Sequence, residues 1–378
     1  MKKVFFTMLM AVAAMTSFAQ NNPKIDKEVK ATKDFQAGKA LIESKLAELN
    51  DEEKAKAYNE LYKLIQPAFE KSMTAAGEQK MAEVDNNVVV NALETAALCE
   101  KYGSKDAAKY VAEVTPIRPV LINAANSTDN TDEKLTYSMA YINTAKQGDN
   151  FLALANYFAG YAYYLKEDYT NAAKYAKGGI GDERVNGPAE QVYRVSMEKN
   201  CKTKADTLAY IDALKQLDSK KYFVQICTML TDLGEKEQVN KLVEETIAKE
   251  PDNKFAWYIR GTTKNEDNKF DEAIEDFKKV IEIDPAFVYG YYNLALCYGN
   301  KADDINAKKA DKNGRLYGDD LKVCSEAYNG AITNLEKVRE LDPNHETIHN
   351  WPMQLRMYYN RVGNKAKADE ISKMLGDA

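Results

Sequence analysis

The sequence predicts an all-α chain, a solenoid of antiparallel helix pairs in which one hairpin is extended by an insertion. Three observations predict it. Apolar residues recur at three- and four-residue intervals through most of the 378 residues. Period-two alternation never persists beyond a few residues, which argues against a sheet. Pro251 and Pro285 stand 34 residues apart, and a fixed period marks a stacked repeat. Only nine prolines and eighteen glycines interrupt this pattern.

From the N-terminus, "MKK" is a basic start, "VFFTMLMAVAAM" an apolar run and "SFA" a small-residue cleavage site, so residues 1–19 read as a signal peptide. The run is too short for a mature transmembrane helix, which needs about 20 residues, and no later window approaches it. No cysteine follows the cleavage site to carry a lipid. The expectation is an exported bacterial envelope protein, most simply periplasmic and soluble once cleaved, with no transmembrane segment in the mature form. Residues 20–33 read as a flexible polar lead.

Residues 34–149 read as a degenerate helical-repeat region. "KDFQAGKALIESKLAELN" and "DEEKAKAYNELYKLIQPAFEKSM" form a helix pair, with Asn50 as N-cap and Glu53 as its reciprocal partner. A second pair covers 84–102 and 105–125, its latter helix kinked by Pro116 and Pro119. "NAANSTDNTDE" is a polar connection, and Thr131 or Asp132 opens the next helix.

Residues 150–378 carry the regular repeats. In a unit starting at Lys254, Trp257, Gly261, Ala273, Phe277 and Pro285 occupy the fourth, eighth, twentieth, twenty-fourth and thirty-second places. Small residues let two helices approach, large ones fill the gap, and proline stops the second helix. This pattern resembles the tetratricopeptide repeat, departing at the eleventh place, where Lys264 replaces the usual tyrosine. Phe223, Cys227, Leu230, Val239 and Val243 keep register over 220–253, and Gly160, Tyr163 and Ala172 keep it farther upstream. A degenerate unit fits 187–219. The resemblance implies a right-handed superhelical solenoid.

The unit opening at Val288 carries an insertion of 24 residues, because Tyr298 and Ala331 stand 33 apart where the repeat has nine. The inserted residues keep a helical stripe: Tyr317, Leu321, Cys324, Tyr328 and Ala331 on one side, Ala302 and Ile305 on the other. Both helices of this hairpin, around 299–330, are therefore expected to be longer by about 12 residues, or about 18 Å. The turn falls at "DKNGR", where Gly314 suits it.

Composition narrows the chemistry. Loss of Lys2 and Lys3 leaves 50 basic against 58 acidic residues, net −8, with no concentrated basic face, so nucleic acid is not the expected partner. Five cysteines, Cys99, Cys201, Cys227, Cys297 and Cys324, contain no C-x-x-C pair and read as buried small hydrophobes, with one disulfide left open. "KGGIGDERVNG" follows a helix and lacks the ending of a phosphate loop, so it reads as a connector.

"HETIH", residues 345–349, matches a zinc-protease pattern in which His345 and His349 bind metal and Glu346 activates water. Its flanks oppose that reading. Pro343 stands two residues before the first histidine and Pro352 three after the second, and no further histidine exists. In the repeat reading Pro343 closes a unit and Asn344 caps the following helix. No enzyme, metal or cofactor is therefore expected.

What remains is binding. The resemblance implies a concave groove lined by the second, fifth, ninth and twelfth places of each unit, which here carry Tyr157, Tyr161, Tyr164, Phe255, Tyr258, Tyr289 and Tyr292, with Asn293 adjacent. Tyrosine gives large contact area at small entropy loss. The carboxylate clamp of chaperone-binding relatives is absent: Val224, Thr228, Ile259 and Tyr289 stand at its places, and only Asn293 fits. The expected function is a non-catalytic scaffold or adaptor holding an unidentified envelope protein or peptide in this aromatic groove. Carbohydrate or small-ligand binding is the alternative, and the zinc metalloprotease a third.

Overall fold

The computed structural model describes residues 24–146 and 148–376; the expected signal peptide, 1–19, and residues 20–23 of the expected lead lie outside them. The described residues form helices joined by turns, with no strand among them. The chain divides into two compact units at Tyr210 and Ile211. The expected boundary at 149/150 falls inside the first.

The first unit opens with α1 (Ile25–Thr32), α2 (Phe35–Lys45) and α3 (Asp51–Gly77). Helix α1 corrects the expected flexible lead: Ile25 and Val29 form an i, i+4 apolar pair, both buried against α3. Asn50 and Glu53 close the capping box at 3.0 Å in each direction. Helices α4 (Asn86–Lys101), α5 (Ala107–Val114), α6 (Arg118–Ser127) and α7 (Thr131–Thr144) follow. A 3-10 turn at Thr115–Ile117 separates α5 from α6, because Pro116 and Pro119 remove two backbone donors there. Asn130 caps α7 through the amides of Asp132 and Glu133.

The unit continues through α8 (Leu152–Leu165), α9 (Tyr169–Lys177) and α10 (Asn186–Asn200) to α11 (Lys204–Asp218), in which the division falls. Helices α8 and α9 approach as closely as the repeat pattern requires. A Cβ placed on Gly160 would lie 2.5 Å from the Ala176 backbone nitrogen, so only glycine fits.

The second unit contains α12 (Phe223–Asp232), α13 (Lys236–Lys249), α14 (Lys254–Glu266) and α15 (Phe270–Ile283), each packed on the next. The repeat residues Phe223, Cys227, Leu230, Val239 and Val243 are all buried. The eleventh-place departure has a physical explanation in a buried ion network. Asp276 is 3% exposed. Its carboxylate receives two hydrogen bonds from Arg260, at 2.7 and 3.0 Å, and pairs with Lys264 at 3.0 Å. Arg260 also reaches Glu244 at 2.9 Å and lies over the Trp257 ring. A tyrosine at 264 would fill space; the lysine instead shares a buried charge.

The inserted hairpin is α16 (Val288–Lys309) and α17 (Gly318–Leu341), of 22 and 24 residues against 13 and 14 for α14 and α15. The extension is thus 9 and 10 residues, not 12. The remainder forms an eight-residue connection, 310–317, organised by Asp311, whose carboxylate accepts the amides of Asn313 and Arg315 at 2.8 and 2.9 Å. Gly314 and Gly318 take left-handed backbone there. Along the hairpin Ala302, Cys324, Ala327 and Ala331 are buried and Tyr328 donates to Asp303 at 2.5 Å. The stripe does not stay buried to its tip. Tyr317 and Leu321 are 62% and 50% exposed. Helices α18 (Trp351–Arg361) and α19 (Lys365–Leu375) complete the unit.

Candidate functional site

The eight predicted groove residues divide between the units. In the second, α12, α14 and the start of α16 flank a groove of about 470 Å³. Phe255, Tyr258 and Tyr289 line it, as do Val224, Thr228 and Ile259, which the clamp comparison had placed there. Val224, Phe255 and Tyr289 are 43%, 39% and 42% exposed, so three large apolar side chains face solvent on one concave surface.

Phe287 was missed. It sits just before α16, outside the helical stripe, yet its ring meets Phe255, Tyr258 and Tyr289 at centroid distances of 6.0, 5.7 and 5.8 Å. "DPAFVYG", an aromatic immediately after the closing proline, was the available signal. Lys254 lies 4.6 Å from its ring centroid and is held by Asp284 at 2.5 Å.

Tyr258, Tyr292 and Asn293 act partly as struts. Tyr258 packs edge-on against Phe277 in the core and accepts a 2.9 Å hydrogen bond from Asn293, which also donates to the Tyr289 carbonyl. Burial pushes the Tyr258 phenol up. Tyr292 donates to Asn350 at 2.9 Å, and burial raises its phenol too.

In the first unit Tyr157, Tyr161 and Tyr164 border a smaller hollow of about 160 Å³, with Pro188, Gln191 and Val192 of α10 opposite. The Tyr157 and Tyr161 rings stack at 6.2 Å, and burial raises the Tyr157 phenol.

The histidine motif takes a different form from either sequence expectation. Residues 342–350 make turns, and α18 starts only at Trp351, so Asn344 caps no helix and His345 and His349 do not share a helix face. Asp342 is the organiser. Its carboxylate accepts the amides of Glu346, Thr347 and Ile348, and its carbonyl accepts the Trp351 indole at 3.0 Å. Burial works against ionisation of Asp342, but those amides and His345 outweigh it and hold the carboxyl below its ordinary range. His349 contacts the His345 carbonyl at 2.6 Å. This is a carboxylate-centred turn, and the helical geometry that a zinc protease needs is missing from it.

The five thiols are free. Cys99, Cys227 and Cys297 are buried and pushed up to about 12 by that burial, the behaviour of packing residues.

Fold and groove together define a helical-repeat protein with an exposed apolar hollow. The family model for the TPR repeat matches residues 261–301, from the close-approach glycine of α14 into α16. These residues carry a tetratricopeptide repeat. The curated antiviral innate immune response effector IFIT1 of Homo sapiens is 27% identical over 147 residues, 39% of this chain and 30% of that protein, so the match spans under a third of the relative's length. Its Macaca fascicularis counterpart is likewise 27% identical, over 152 residues, 40% of this chain and 30% of that protein. Among solved structures, the C-terminal part of a TPR repeat-containing protein from Cytophaga hutchinsonii has a TM-score of 0.42 at 16% identity, covering 68% of this chain and 92% of that one.

Proposed function

We propose that this protein is a non-catalytic scaffold that holds an extended protein segment in the α12–α14–α16 groove. The observation that carries the reading is the exposure of Val224, Phe255 and Tyr289 around one concavity of about 470 Å³. Scattered exposed apolar residues need no explanation, but three on one hollow are the feature that binding surfaces share. Threonines 228, 231, 262 and 263 on the same surface can meet a peptide backbone. Export to the bacterial envelope, most simply the periplasm, belongs to the same reading and rests on the basic, apolar and small-residue order of residues 1–19.

Phe255→Ser and Tyr289→Ser test it, because these side chains are exposed, whereas Tyr258 also supports the core. Short peptides selected from a displayed random library against the full chain should lose at least about tenfold in affinity in the double variant, as removal of interface aromatics commonly does. Selected peptides that bind the double variant unchanged, or saturable glycan binding at these residues in place of peptide, would overturn the reading. N-terminal sequencing of protein recovered from the envelope should begin at Gln20; an intact Met1 would refute export.

A further inference from the structure

The groove is polarised along its length, and we infer that it selects segments carrying a lysine or arginine about four or five residues from a bulky apolar side chain. The inference rests on the peptide-binding reading and specifies the ligand's chemistry. At one end lie Phe255, Phe287 and Tyr289, all in or before the first turns of α14 and α16. At the other, Asp232 is the last residue of α12 and Glu266 the last of α14. These two carboxylates are 34 residues apart, one repeat period, so stacking places them in equivalent positions.

Both are exposed, and neither is paired with a basic side chain among the described residues. Among the described residues, no lysine or arginine lines the groove. Neighbouring cations are already committed: Lys236 to Asp267 at 2.5 Å, Lys264 to Asp276 and Glu272. The two helix C-termini add partial negative charge at the same end. At the aromatic end, by contrast, the Asp284 carboxylate is already paired with Lys254, at 2.5 Å. An incoming cation is therefore directed to the acidic end. From Phe255 to Glu266 the helix rises about 16 Å, at 1.5 Å per residue. An extended chain covers that in about five residues, which sets the spacing.

The probes are fluorescein-labelled Ser/Gly peptides bearing one Phe and, at this spacing on either side, Arg, Gln or Glu, titrated by anisotropy against the full chain. An exposed ion pair worth up to about 1 kcal/mol gives roughly fivefold. The better Arg peptide should therefore bind about fivefold or more tighter than its Gln counterpart, with the gap shrinking as salt rises. Asp232→Asn/Glu266→Gln should abolish that difference. If the double variant keeps the preference, or Glu peptides bind as well as Arg peptides, while Phe255→Ser still abolishes binding, the inference falls and the peptide-binding reading stands. Absence of binding by every peptide removes both. Self-association of the chain that excludes all peptides and disappears in Phe255→Ser would make a second copy the occupant and overturn the inference.

Discussion

Asp276→Ala should destabilise the second unit by about 2 kcal/mol. Removing one partner of a buried ion pair costs about 3–5 kcal/mol, because the other charge is stranded. Here the loss is softened: Arg260 keeps Glu244, Lys264 keeps Glu272, and the two cationic side chains are 19% and 21% exposed. About half the full penalty should remain. Lys264→Tyr, which restores the usual repeat residue, should cost about 1 kcal/mol or less, since Asp276 retains its two bonds from Arg260. In the Asp276→Ala background the same Lys264→Tyr change should become neutral or stabilising, because it removes a cation that has lost its buried partner and keeps only the more distant Glu272. The assay is urea unfolding followed by tryptophan fluorescence. Trp257 and Trp351 are the two tryptophans, both in the second unit, and Arg260 lies 4.6 Å from the Trp257 ring centroid. A local reporter suits repeat proteins, whose unfolding need not be all-or-none. Asp276→Ala within about 0.5 kcal/mol of the parent would refute the argument, since that is the scale of an ordinary surface change. So would an equal effect of Lys264→Tyr in both backgrounds, which would deny coupling.

Asp342→Ala should cost about 1–3 kcal/mol by orphaning three amides, read from Trp351 fluorescence in urea. Because the folded carboxyl titrates below its ordinary value of about 3.9, the stabilisation is complete above that pH and lost as pH falls through the lower folded value. The gap between parent and variant should therefore narrow only on acidification below about pH 4; a gap independent of pH would contradict the assignment. Gly160→Ala should lower the thermal midpoint, at about 1–3 kcal/mol for overpacking, whereas Gly187→Ala, which meets open space, should be neutral or slightly stabilising. Equal melting of the two would remove the close-approach argument. A thiol reagent should label at most Cys201 in native protein, and the other four cysteines only after denaturant is added; fast labelling of a second thiol would show that burial does not protect them.

Much of the second unit was legible because a repeat writes its packing into spacing. Gly261 meets Phe277 at the distance that a small eighth residue permits: an added Cβ would sit 3.0 Å from that ring. Asn50 with Glu53, and Pro116 with Pro119, were equally legible, since caps and breaks are local chemistry. Phe255, Tyr258 and Tyr289, which the spacing put on one surface, line the same hollow. Phe287 escaped because it lies off the helical stripe, in a loop whose path depends on its neighbours.

The sequence by itself determined the helical class, the 34-residue period, the extended hairpin and its turn, all of which follow from contacts between residues close in the chain. Only the tertiary structure decided what distant residues do to one another. It turned Lys264 from an irregularity into part of a buried network with Asp276. It turned a zinc-like motif into a turn centred on Asp342, because three amides converge on one carboxylate. It also separated tyrosines that face solvent from those that brace the core, a distinction that spacing cannot express, because burial depends on what packs opposite.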